Sequence, residues 1–356
     1  MTRATASGVL AGVKELERVV AADRSQPEFV ETFAEYLGRR VTPRRVALGR
    51  DLYAKHRELL ASLTTRTGIP GQYLVAFWGL ETNYGSVLGD VPVFDSLATL
   101  ACDRRRSDYF AGELISALKI VDRGDVAAAT MTGSWAGAMG QTQFMPSTYL
   151  AHGVDGDSDG AIDLWQSVPD ALTSAAHLLE SLGWQRGVRW GREVLLPEDF
   201  DYTLAGLEQR RPLSEWRRLG VRETSGEALP ALEDIAGSLL VPAGHRGPVF
   251  IAYENFRVIM RWNRSEFFAL AIGRLADRIA GAGALSRPAP ESERLRRADL
   301  VAAQQALAQR GYYNGAADGI VGPATRRAVR EFQRANGLVA DGFPGPELLE
   351  QLGLGL

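Results

Sequence analysis

The sequence predicts a mainly α-helical protein with a small β element, followed by a separate small helical module. Three observations predict it. Apolar residues recur at helical spacing through the first third of the chain, with capping and breaking residues between the runs. Short apolar runs between residues 194 and 253 read as strands. Beyond a Gly, Ala and Pro-rich stretch, a turn-plus-helix unit is duplicated. At 356 residues the chain has room for one large domain and one small one. Hydrophobic residues are 46% and charged residues 23%, an ordinary globular mix. The net charge of −3 gives no reason to expect nucleic acid or an anionic membrane as partner. Cys102 is the only cysteine, so no intrachain disulfide can form and the redox compartment stays open. Residues 1–20 lack a signal-peptide core, and no stretch is long and apolar enough to span a bilayer.

The elements follow in order. Ser25-Gln26-Pro27-Glu28 has the form of a capping box. Phe29, Phe33 and Tyr36-Leu37 then keep a helical period that Gly38 can end. Thr42-Pro43 opens another helix, carrying Val46, Leu52, Leu59, Leu60 and Leu63, which stops near Gly68. The next helix, from Gly71, has Pro70 suited to its first turn and Gly85 suited to a left-handed close. Leu74, Phe77, Trp78 and Glu81 fall at i, i+3, i+4 and i+7, which places Glu81 on an apolar stripe. Partial desolvation and the helix C-terminus both favour a protonated carboxyl there, as a general acid needs. The competing reading puts Glu81 at the edge of the stripe with its head in water.

Ser96–Leu100 and Tyr109–Val121 continue the helical pattern. Gly133–Gly140, GSWAGAMG, is nearly all small, which lets backbone approach a neighbour or ligand closely. Gln141–Tyr149 adds two amides and several hydroxyls, and buried amides such as Gln143 need hydrogen-bond partners. Asp155–Asp163, DGDSDGAID, aligns oxygen donors with an EF-hand calcium loop, but Gln166 stands where the bidentate Glu belongs. Asp170 can reach in from the following helix, which runs to Leu182. Val194–Leu196, Leu239–Val241 and Val249–Tyr253 read as short strands. Ser265 caps a helix to Ile279. The four His residues show no ligand spacing, and no Ser-His-Asp or Cys-His constellation is visible. Gly281–Glu291 reads as an exposed, semi-rigid linker. Asp318-Gly319-Ile320-Val321-Gly322-Pro323 then recurs as Asp341-Gly342-Phe343-Pro344-Gly345-Pro346. Leu300, Leu307, Val329 and Phe332 would form the core of this module, which is too small for elaborate chemistry.

Together these motifs resemble the lytic murein transglycosylases of the B type. The residues that carry the resemblance are GLETNYG around Glu81, RRSDYF from Arg105, GSWAGAMGQTQFMPSTY from Gly133, DGDSDGAIDLW and YENF. The tail resembles a peptidoglycan-binding module. The resemblance implies a lysozyme-like α+β catalytic domain over residues 1–280, a linker over 281–296 and a three-helix peptidoglycan-binding domain over 297–356. It implies that Glu81 is the single catalytic carboxylate. Ser134 and Gln143 would hold the sugar, Arg105 and Arg106 would line the glycan groove, and Tyr253 and Asn255 would lie near the catalytic centre. Asp155, Asp157, Asp159, the Ala161 carbonyl and Asp170 would hold a structural calcium, with no cofactor used in catalysis. The implied partner is the glycan strand of peptidoglycan, met by a monomer in the cell envelope whose export signal is not in this sequence.

The resemblance also implies the reaction. Glu81 protonates the bond between N-acetylmuramic acid and N-acetylglucosamine, then deprotonates the muramyl C6 hydroxyl as it closes on C1. The product is a 1,6-anhydro sugar. Two rivals are a hydrolytic muramidase of the same fold and a non-catalytic wall-binding protein. An ordinary glycosidase needs a second carboxylate, and Asp95, Asp103 and Asp108 are candidates only by nearness in the chain.

Overall fold

The computed structural model describes residues 1–25, 30–231, 235–291 and 294–355. The capping box expected over Ser25–Glu28, with the Phe29 that follows, lies outside the described residues from residue 26 onward.

The chain begins with helices α1 (Arg3–Leu10), α2 (Glu17–Arg24), α3 (Phe33–Arg40), α4 (Pro43–Lys55), α5 (Arg57–Thr67) and α6 (Gly71–Thr82). Strand β1 (Val91–Pro92), helices α7 (Val93–Cys102) and α8 (Ser107–Arg123), strand β2 (Thr132–Gly133), and helices α9 (Pro146–His152) and α10 (Val168–Ser181) follow. Next come β3 (Gly191–Leu195), β4 (Arg210–Pro212), α11 (Leu213–Arg218), β5 (Arg222–Glu223), β6 (Ala236–Leu240), β7 (Val249–Ala252), α12 (Glu254–Trp262) and α13 (Glu266–Ile279). Helices α14 (Arg297–Gln309), α15 (Pro323–Ala335) and α16 (Pro346–Gln351) close the chain. Among the described residues no helix is long and apolar enough to cross a membrane.

The chain divides into two compact units. The first holds residues 1–26, 43–186 and 274–281; the second holds 27–42, 187–273 and 282–356. The β-sheet and the C-terminal repeat therefore share a unit, a division that does not follow the boundary near residue 280.

The first unit is built around α6. Every residue from Tyr73 to Leu80 is buried. The expected apolar stripe is thus a helix apolar on all sides, as the centre of a large core requires. The single helix expected from Pro43 to Gly68 is two, α4 and α5, broken at His56 and ended by Gly68 in the left-handed conformation. On α8, Glu113 is 5% exposed. Its carboxylate accepts from the N–H (2.8 Å) and hydroxyl (2.7 Å) of Ser147 in the first turn of α9. An anion there satisfies orphan donors and complements the helix dipole.

In the second unit, α3 carries a capping box from Thr32 to Glu35, and Gly38 lies inside the helix instead of ending it. The sheet is antiparallel, in the order β4-β6-β7-β3-β5. Its inner strands β3, β6 and β7 match the three expected runs; β4 and β5 are too short to show a period. Trp216 is fully buried and donates its Nε1–H to Gly237 O at 2.9 Å. The stretch read as a linker is exposed but fixed. Ser286 N–H, Ser286 Oγ and Arg287 N–H all donate to the carboxylate of Glu193 on β3.

The repeat packs α14, α15 and α16 around Leu300, Leu307, Val329, Phe332 and Leu348. Its two Asp-Gly turns are closed the same way. Gln304 accepts from Gly319 N–H at 2.8 Å and donates to Ile320 O at 3.0 Å. Gln333 accepts from Gly342 N–H at 2.8 Å and donates to Asp341 Oδ1 at 2.9 Å. Replacing Gln304, 1% exposed, with Leu should keep the volume and strand these buried groups. A loss of about 2–3 kcal/mol is expected, read from the urea unfolding midpoint. A change near zero would show that the turn is closed by something else.

Candidate active site

The site begins where α6 ends. Gln72 and Glu81 are the only residues of that helix not fully buried, and Glu81 sits in its last turn. The half-buried position lies between the two readings of the sequence: an apolar helix carries the carboxyl to the edge of the core. The helix stops abruptly. Asn83, Tyr84 and Gly85 follow one another with φ of 49°, 62° and 78°. Two of the three are not glycine, and each such residue costs on the order of 1–3 kcal/mol. Gly85 is left-handed as expected, but the reversal starts two residues earlier.

Specific bonds hold this turn. Tyr84 N–H donates to Trp78 O at 3.1 Å, and the Tyr84 hydroxyl donates to Arg45 O at 2.8 Å. Burial keeps that phenol protonated well above its ordinary range. Thr82 Oγ1 donates to Gln141 O at 2.7 Å and accepts from Gly85 N–H at 3.0 Å. The α6 terminus is thereby tied to the GQTQ segment.

The small-residue run forms a compact loop against β1 and β2. These strands pair antiparallel, Val91 opposite Gly133. A Cβ on Gly89 would collide with the Gly133 carbonyl, so the close approach requires glycine. Ser134 is half-buried and its Oγ accepts from Ala138 N–H at 3.1 Å. Gln143 has φ of 52°. Its Nε2 donates to Leu88 O and Gly140 O, both at 3.1 Å. Its side-chain amide is thereby turned to the main chain. Thr82, Tyr84, Gln141 and Glu113 were not singled out by the sequence, because their roles depend on partners remote in the chain.

The remaining expected residues have structural partners. Arg105 and Arg106 both pair with Asp23 of α2, and Arg106 lies over the Phe110 ring at 4.9 Å. Their side chains remain nearly half exposed. Tyr253 and Asn255 lie in the second unit. Tyr253 N–H donates to Trp190 O at 2.9 Å. Asn255 is fully buried and donates to Val188 O at 2.6 Å.

In the acidic loop, carboxylate oxygens of Asp155, Asp157 and Asp170 come within 4.8 Å of one another. Asp159 is outside this group and accepts from Ala161 N–H in its own loop. Asp170, 1% exposed, accepts from Gly156 N–H and Asp163 N–H. Burial pushes its carboxyl up, against those bonds.

A half-buried glutamate ending a buried helix, beside a short antiparallel strand pair and a glycine-rich loop, places this chain in the lysozyme-like class. Comparison with known proteins narrows that. Residues 1–277 match the transglycosylase SLT domain and residues 296–352 match a putative peptidoglycan binding domain. The chain belongs to the lytic transglycosylase family. It is 31% identical over 253 residues to the membrane-bound lytic murein transglycosylase B of Escherichia coli, a match covering 67% of this chain and 65% of that one. The match thus spans slightly less than two thirds of that relative. The crystal structure of SltB3 from Pseudomonas aeruginosa in complex with NAG-anhNAM-pentapeptide superposes with a TM-score of 0.96 at 45% identity, covering 99% of this chain and 95% of that chain. The Escherichia coli lytic transglycosylase SLT35 in complex with calcium gives 0.68 at 28% identity, covering 79% of this chain and 88% of that one.

Thr82→Val keeps the shape of the side chain and removes the donor to Gln141 O. Stability should fall by about 1–3 kcal/mol, with a lower turnover on purified murein as the loop bearing Gln143 loosens. An unchanged melting curve together with unchanged turnover would mean that the tie is dispensable.

Proposed function

We propose that this chain is a lytic transglycosylase acting on peptidoglycan in the cell envelope. The observation that carries this reading is Glu81, a half-buried carboxylate at the end of a buried helix. Glu81 donates its proton to the glycosidic oxygen as the muramyl C1–O bond breaks, and N-acetylglucosamine leaves with a free hydroxyl. The substrate's acetamido oxygen stabilises the positive charge at C1. The muramyl C6 hydroxyl then attacks C1 and returns its proton to Glu81. The acid is restored, a 1,6-anhydro ring has formed and no water is consumed. SltB3 was solved with NAG-anhNAM-pentapeptide, and an anhydro sugar is the product type this mechanism forms. Ser134 and Gln143, fixed by main-chain bonds, position the sugar. Arg105 and Arg106 add positive charge to the groove.

Glu81→Gln should lower turnover of sacculi by at least about a thousandfold while leaving their binding intact. Mass spectrometry of the wild-type digest should show anhydro ends. Ends heavier by one water would make the enzyme a muramidase, and full activity in the variant would remove Glu81 from its role.

The acidic loop is proposed to hold calcium. Asp155, Asp157 and Asp170 supply an all-oxygen donor set suited to a hard cation. Three carboxylates this close, one of them buried, repel unless a cation neutralises them. The charge the ion supplies is structural. Saturating calcium should raise the unfolding midpoint by roughly 2–5 °C, and EGTA should reverse it. Asp157→Asn should abolish the response; a response surviving that change would place the ion elsewhere.

A further inference from the structure

The C-terminal repeat contains two copies of one turn, and the structure shows what the second copy grips. In both, the Oδ1 of the aspartate closes the turn. Asp318 Oδ1 accepts from Ile320 N–H at 2.9 Å and from Gln304. Asp341 Oδ1 accepts from Phe343 N–H at 2.8 Å and from Gln333. Gly319 and Gly342 have φ of 71° and 74°. The turns are therefore alike down to which oxygen does what, and the other oxygen of each carboxylate is left for an outside partner.

In the second copy that partner belongs to the same chain. Asp341 Oδ2 accepts from His245 N–H at 2.9 Å and lies 2.8 Å from His245 Nδ1. A main-chain donor and a neighbouring side-chain donor converge on one oxygen. The loop comes so near that a Cβ on Gly244 would lie 2.8 Å from that atom and 3.0 Å from Phe343. Asp341 is 3% exposed as a result.

In the first copy Arg297 donates to the Asp318 carbonyl and packs against Gly319, but no loop grips the outward carboxylate oxygen among the described residues. Asp318 is exposed, and among the described residues its Oδ2 receives no hydrogen bond. Ile320, which stands where Phe343 stands in the second copy, is 56% exposed. Ile320 and Val321 continue into the wall of a 540 Å³ cleft lined mainly by apolar residues, Phe343, Pro344 and Met260 among them. That volume falls within the range of small-ligand sites.

We propose that the Asp318 turn is the ligand-binding turn of the module. Its ligand is a peptide segment that offers a main-chain N–H beside a second N–H donor, with a small apolar side chain toward Ile320. This deepens the reading of the chain as a peptidoglycan enzyme, and rests on it. The module then recognises the peptide stems of the wall, and the glycan is left to the catalytic unit.

The test uses the full chain carrying Glu81→Gln, so that the wall stays intact. Two probes are compared in sedimentation: purified sacculi, and the same sacculi stripped of stem peptides by an amidase. Asp318→Asn keeps the Oδ1 that closes the turn and replaces the outward oxygen with a donor. It should weaken binding to intact sacculi about tenfold and leave binding to stripped sacculi unchanged. Ile320→Ala, at an exposed position, should weaken the same binding should the first variant prove unstable. The inference is overturned if the folded variants bind intact sacculi as the parent does, or if the parent binds both probes equally. Failure of the parent to bind either probe would instead overturn the peptidoglycan reading itself, and this inference with it.

Discussion

The geometry of this molecule depends on how one helix stops. Three successive left-handed residues after Thr82 are unfavourable on their own, two of them by on the order of 1–3 kcal/mol each. They persist because the surroundings leave no alternative. The helix before them is locked by burial on every side, and the turn is fastened by Tyr84 to Arg45 O and by Thr82 to Gln141 O. A helix free to continue would carry its chain past the β1–β2 pair. The strain thus fixes where the end of α6 meets the GQTQ segment, and core packing supplies the energy that holds it.

The same division explains what was legible in the sequence. The bounds of α6 could be read to within a few residues, because Pro70 and Gly85 are local signals. Its burial could not, since an apolar helix inside a large core and one lying on a small core share the same period. Asp170 could be guessed from its distance after the acidic loop; the absence of Asp159 from the carboxylate group could not, because its carboxyl accepts from a main-chain donor two residues away. The arginine pair illustrates a further limit. Two adjacent cations read as a ligand surface, but the chain also holds Asp23, buried and far away in sequence, and both guanidinium groups bond to it.

The duplicated turn shows how repetition becomes informative. Sequence displays the Asp-Gly pairs, but the glutamines that close them sit on the helices before, at unequal distances of separation. Only the fold reveals that each turn has one oxygen committed inward and one directed out. Duplication followed by asymmetric use is economical: one copy anchors the module to the loop at His245, and its twin keeps the same geometry at the surface.

A second carboxylate near Glu81 would favour hydrolysis by a nucleophile or base, so the fate of the neighbouring acids bears on the chemistry. Asp95 accepts from Lys14 N–H at 3.1 Å. Asp103 pairs with Arg24 and accepts from Arg105 N–H, contacts that hold its carboxyl below the usual range. Asp108 lies in the first turn of α8, where a helix dipole favours an anion. Asp95 and Asp103 are thus engaged by donors from other segments of the first unit. A carboxylate kept ionised by an arginine and main-chain donors is poorly placed to take up a proton from water. In the proposed mechanism the work of acid and base falls on Glu81, and the substrate's own C6 hydroxyl is the nucleophile it activates.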